Sequence, residues 1–160
     1  MRVLREYRTR LVVAGSRSYN NYEEFSDCMN RMIKWLGKDD LAIITGAAWE
    51  GPDRMVIRWC CENEVPWFEF PADWDTYGKR AGYVRNCEMR DACTYLLAFW
   101  DKISRGTAHM VDECCKHESV RTLVYMVSPD EGYYENKRLK KKSQIAPAKP
   151  IAKDSASLVS

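Results

Sequence analysis

Short apolar runs alternate along the chain with longer segments whose apolar residues recur at helical spacing. "RLVVAG" (10–15) is a β-branched run closing in glycine, and "LAIITGAA" (41–48) repeats that form. "PWFEFP" (66–71) is bounded by prolines, and "CTYLLAFW" (93–100) and "VRTLVYMV" (120–127) complete the series. Runs of this length with such flanks read as strands buried on both faces. Between them, Tyr22, Phe25, Met29, Met32, Ile33 and Leu36 keep a helical period that Gly37 ends. A second helix starts with Pro52 in its first turn, a third runs from about Ala81 to Asp91, and a fourth covers "GTAHMVDECCKHE". The stretch 72–80 reads as a polar, aromatic loop.

Strand and helix in strict alternation predict an α/β, Rossmann-like three-layer fold. It has a mainly parallel sheet of five strands, or slightly more, with helices on both faces. Ligands of such sheets sit at the carboxyl ends of the strands, so the residues just past each run carry the functional information. After the first run come Gly15, Ser16 and Arg17. After the second come Thr45, Gly46 and Ala47, leading to Asp53. After the fourth come Ser104, Arg105, Gly106 and Thr107. Glycine lets a ligand approach the backbone, and a helix opening at Gly106 presents free N–H groups, which together suit an anion such as phosphate. Any one such loop is also an ordinary β–α turn; three on one sheet edge point to a ligand. Neither the GxGxxG nor the Walker GxxxxGK[ST] pattern is present.

Between the third and fourth runs, Trp74 and Tyr77 offer faces for a base or form a hydrophobic lid. Lys79, Arg85 and Asn86 offer phosphate or ribose contacts, with an exposed Arg85 as the other reading. The candidate acids are Asp53, Asp73, Asp75, Asp112 and Glu113. One turn beyond Gly106, where a cleaving enzyme would want a carboxylate, stands Met110, which transfers no proton. His109 reads as a surface residue. The pattern therefore favours binding over catalysis.

Composition changes this picture only at the edges. At 46% hydrophobic and 30% charged the chain is that of an ordinary globular domain. The long apolar run of a membrane helix or a signal peptide is missing, so the cytoplasm is expected and no membrane partner. The net charge of +2 hides an asymmetry: residues 131–160 carry seven Lys or Arg against three acids, +4, which leaves −2 on the rest. Residues 1–130 are thus expected to form the domain and 131–160 a basic, disordered tail, able at most to touch nucleic acid weakly. The seven cysteines lack CxxC spacing and read as buried or half-buried free thiols, with no structural metal and no cofactor.

Taken together these residues resemble the SLOG superfamily, which groups the DNA-processing Smf/DprA proteins with the LOG nucleotide hydrolases, and within it the YspA-like branch. The resemblance rests on Gly15-Ser16-Arg17, on Gly46-Ala47 with Gly51 and Asp53, on "PADWDTYGKRAGYVRNCEM" (71–89), and on Ala98-Phe99 through Ser104 to Gly106-Thr107. It implies a nucleotide or nucleotide-derived ligand, of ADP-ribose or cyclic signalling type among others, and a homodimer or higher oligomer through helices 21–36 or 106–118. It also implies a role as sensor or sequestering protein, including a phage-encoded anti-defence one. In the LOG branch an arginine and a glutamate cleave the base from a nucleoside monophosphate. Arg85 falls at that arginine, Met110 at the glutamate, and Ser104 and Arg105 (or near neighbours) at two motif glycines. That departure speaks against hydrolysis and leaves the phosphate cradle intact. A nucleotide N-glycosidase using Arg85 with Asp53, Asp112 or Glu113 is the enzymatic alternative, and DNA binding is the third.

Overall fold

The computed structural model describes residues 2–130 and 132–134. Five strands, β1 (Thr9–Gly15), β2 (Leu41–Thr45), β3 (Trp67–Glu69), β4 (Tyr95–Trp100) and β5 (Arg121–Met126), form one sheet in the order β3-β2-β1-β4-β5. Every pairing is parallel. The helices are α1 (Tyr22–Leu36), α2 (Pro52–Asn63), α3 (Trp74–Tyr77), α4 (Ala81–Ala92) and α5 (Arg105–Cys115). This is the Rossmann-like arrangement the alternation predicts. Strand order turns back beside β1, so the loops after β1 and β4 face each other at the switch point.

Alternation along the strands builds two cores. Leu11 and Val13 of β1 face one side with Ile43 and Phe99, where Phe25 and Met29 of α1 and Val56 and Trp59 of α2 cover them. Val12 and Ala14 face the other side with Ile44, Leu96 and Ala98, under Met89 of α4 and Met110 and Cys114 of α5. At the β5 edge Val124 and Met126 are exposed.

Three details depart from the sequence reading. The stretch 72–80 is not a loop: Asp73 accepts a hydrogen bond from Thr76 N–H at 3.1 Å and caps α3, and a 3-10 turn, Gly78–Arg80, follows. A further 3-10 turn, Leu4–Glu6, precedes β1. All seven cysteines are free, but Cys61 and Cys115 are exposed. Each is the second of two adjacent cysteines on a helix, and a step of ~100° turns one thiol inward and its neighbour out.

The chain divides into two compact units, Met1–Pro129 and Asp130–Ser160. In the second the described residues make one turn, with Tyr133 N–H donating to Asp130 Oδ1 at 3.0 Å. Apart from 132–134, the basic tail expected over 131–160 lies outside the described residues. None of the described helices is long and apolar enough to cross a membrane.

Candidate functional site

The strand ends are tied into a ring. Gly15 brings α2 against β1, since a Cβ there would meet Phe99 O and Pro52 Cγ, each at 2.5 Å. Ser16 N–H donates to Phe99 O at 2.9 Å, and Ser16 Oγ accepts from Asp101 N–H at 3.1 Å. Ser18 Oγ donates to the Asp101 carboxylate at 3.0 Å, closing the seam between the β1 and β4 loops. Asp101 also accepts from Ile103 and Ser104 N–H at 2.8 and 2.9 Å, which shapes the turn into α5. From α4, Asn86 donates to Gly106 O at 3.2 Å, and Arg85 donates from Nη1 to Gly46 O at 2.7 Å and Phe70 O at 3.3 Å. Gly51, at φ +78°, packs on Ser16 O and brings the β2 loop back to the β1 loop.

Gly46 is required by this closure. A Cβ there would sit 2.5 Å from Arg85 Nη1 and 2.8 Å from Asp53 Oδ2. Ala47 beside it holds φ +56°, a left-handed conformation that costs a non-glycine residue roughly 1–2 kcal/mol. Thr45 spends its hydroxyl proton on Asp53 O at 2.7 Å and accepts from Ala47 N–H at 3.1 Å. It therefore fixes the strained loop and has no hydroxyl proton left for a ligand. Ser104 caps α5 by accepting from Thr107 N–H, and the two hydroxyls lie 3.1 Å apart, sharing one proton and leaving the other free.

Charge around the ring is mixed. Burial pushes the Asp53 carboxyl up to about 6, against the pull of Arg85, Ala48 N–H, Arg17 and Arg54. Burial likewise lowers the Arg85 guanidinium, which Asp53 partly offsets. Protonated Asp53 is therefore favoured more in the folded than in the unfolded state. Its contribution to stability is complete below about pH 4 and lost as pH rises through about 6. Asp53→Asn is expected to flatten the stability curve across that window by on the order of 2–3 kcal/mol, read from urea midpoints at pH 4 and 7. An unchanged slope would place the titration elsewhere.

Arg17, Arg105 and Gly106 are exposed at the rim. Trp74, Tyr77 and Lys79 are also exposed, on α3 and its following turn, where α3 packs on α4. The helix position expected to want a carboxylate, Met110, is buried in the core. Asp112 pairs with Lys116, and Glu113 with Lys116 and Arg90, so neither reaches the ring. His109 is half-buried, its Nδ1 3.1 Å from the Asn86 amide and its ring 4.4 Å from that of Tyr83. Two residues escaped the sequence reading. Asp101 gave a usable signal, an aspartate at a strand end whose carboxylate can take the N–H groups two and three residues on. The other is Trp49, 87% exposed in the Gly46–Gly51 loop with Arg54 5.3 Å over its ring. Among the described residues no group of three or more His, Cys, Asp or Glu could hold a metal ion.

Residues 9–77 match the family described as YspA, cpYpsA-related SLOG. The Gene 61 protein of Mycobacterium phage D29 is 30% identical over 117 residues, covering 67% of this chain and 89% of that protein. The chain belongs to the YspA-related SLOG family. The matched segment carries the β1 and β2 loops and α3; α4 and the α5 N-terminus of this SLOG chain lie beyond it. The crystal structure of DNA processing protein A (DprA) from Streptococcus pneumoniae superposes with a TM-score of 0.62 at 14% identity. The overlap takes in 88% of this chain but only 58% of that one, so the likeness is one of fold.

Proposed function

We propose that this SLOG domain binds a nucleotide or nucleotide-derived small molecule at the carboxyl edge of its sheet and acts as a receptor or sequestering protein. The observation that carries this reading is the closed ring, with the arginine-fixed Gly46–Ala47 loop on one side and the N-terminus of α5 on the other. Gly106 supports it further: a Cβ there would have nothing within 4 Å, so the helix end is open to an incoming group. In this reading Gly46, Gly106 and the spare hydroxyl proton of the Ser104–Thr107 pair receive the phosphate, with Ala47 shaping the loop, and Arg17 and Arg105 add charge at the rim. Trp74, Tyr77 or Trp49 stacks on the base. The phage relative named above suits a protein that removes a host signalling nucleotide.

The test is to incubate the protein with nucleoside phosphates, ADP-ribose derivatives and cyclic nucleotides, and to chromatograph the free pool before and after heat denaturation. Depletion followed by intact release supports binding; a panel left wholly unretained refutes it. Gly106→Ala separates fold from function. Alanine is expected to add about 0.5–1 kcal/mol to helix stability while its methyl obstructs the anion and weakens retention at least tenfold. An alanine variant that retains ligand as well as the parent would move the phosphate off this helix.

One observation favours a second reading. A buried carboxyl lifted to about 6 beside an arginine is suited to general acid–base work. Asp53 with Arg85 would then serve a nucleotide N-glycosidase. Free base or ribose phosphate among the products, lost in Asp53→Asn, would establish that chemistry.

A further inference from the structure

A cavity of about 430 Å³ lies outside the ring, between the start of α1 and the first turns of α2. Its lining is Asn20, Tyr22, Arg54, Met55, Ile57 and Arg58. Arg54 and Arg58 stand one helical turn apart on α2, so both guanidinium groups border the same space. Arg58 lies 3.7 Å over the Tyr22 ring and donates to Glu62 from Nε at 3.1 Å; Glu62 also takes the Tyr22 hydroxyl proton. Burial and that bond push the Tyr22 phenol up to about 12, so it stays neutral. Arg54 gives Nη2 to Ala47 O at 3.3 Å, while its Nε is buried with no hydrogen-bond partner among the described residues. That Nε is covered by the fold, so it reports on the guanidinium that carries it rather than meeting a ligand itself.

We propose that this cavity is a second anion site, distinct from the ring, which takes a phosphate-bearing small molecule. Arg54 and Arg58 would hold the phosphate, since a guanidinium fork matches phosphate oxygens. The volume is that of a small organic ligand rather than a bare ion. Tyr22, Met55 and Ile57 supply an apolar wall for the organic part. Asn20 can serve either end. Glu62 is the acidic neighbour, and its two bonds to Arg58 and Tyr22 hold that wall in place. This inference does not depend on what the ring binds.

The test follows the arginine Nε–Hε signals of the full-length, ¹⁵N-labelled protein during titration with sodium pyrophosphate. The Arg54 signal is expected to move saturably. Arg58→Gln, at an exposed position, is expected to weaken that response at least tenfold. In Gly106→Ala, which obstructs the ring without touching Arg54 or its Ala47 partner, the response is expected to persist. No movement of the Arg54 signal up to the solubility limit of the salt overturns the proposal. So does a response that disappears in Gly106→Ala, because the anion would then be sitting in the ring, and so does one that Arg58→Gln leaves unchanged.

Discussion

Asp101→Ala is expected to lower folding stability by about 3–5 kcal/mol and to abolish ligand retention. The carboxylate is 1% exposed and receives Ser18 Oγ–H and the N–H groups of Ile103 and Ser104. Alanine removes all of these acceptors at once and leaves the Ser18 hydroxyl and the two N–H groups without them. Bonds to a charged acceptor are worth about 1.5–3 kcal/mol each, and partial entry of water keeps the total below their sum. Asp101→Asn should behave differently. It keeps one acceptor oxygen for the two backbone donors, and the Ser18 hydroxyl can turn to accept from the new amide. A loss of about 1 kcal/mol is expected there. Urea unfolding of both variants decides the matter: an alanine variant within 1 kcal/mol of the parent would show that the seam holds without its carboxylate.

Arg85→Met is expected to weaken ligand retention by a hundredfold or more while the protein stays folded. The guanidinium spans Gly46 O, Phe70 O and Asn86 Oδ1, and so fixes the ends of two strands from a helix on one face of the sheet. Its loss removes a charged donor from the ring and frees the strained Gly46–Ala47 turn. One charge-assisted bond of about 1.5–3 kcal/mol accounts for a factor of roughly 10–150, and misplacement of the loop supplies the rest. Lysine is not expected to restore function, because a point charge on a flexible stem cannot hold carbonyls in a planar fork. Affinity for the best-retained nucleotide, measured by calorimetry across the three forms, is the readout. Recovery by Arg85→Lys to within a few-fold of the parent would assign Arg85 a purely electrostatic part.

The strands were legible because a parallel sheet covered on both faces asks for apolar residues at successive positions. Val12 and Val13 both lie in cores, on opposite sides. Helices α1, α2 and α5 announced themselves by period and by their first residues. α3 did not, since four residues are too few to show a period and its cap, Asp73, also reads as loop composition. In the ring, the glycines and the helix opening near Gly106 were readable from local chemistry. The direction of Arg85 was open, because a helix position says nothing about which neighbouring strand end it meets. The part Thr45 plays is not legible for a similar reason: its hydroxyl is spent on Asp53 O eight residues away, a partner that only the folded turn supplies. Asp101 was passed over because much of its work is across the switch point, with Ser18 eighty-three residues away in sequence.

The ring draws its members from Ser16, just past β1, to Thr107 in α5, with α4 between. The ring therefore does not close in any fragment that lacks β4, α4 or α5, and it forms only when β1 has paired with β2 and β4. A ligand held there couples to global unfolding rather than to the opening of one loop, so at a concentration a hundred times its dissociation constant it should raise stability by about 2.7 kcal/mol for the entire domain. Hydrogen exchange would register this as slower exchange in β1 and β4, deep beneath the site, as much as in the loops that touch the ligand.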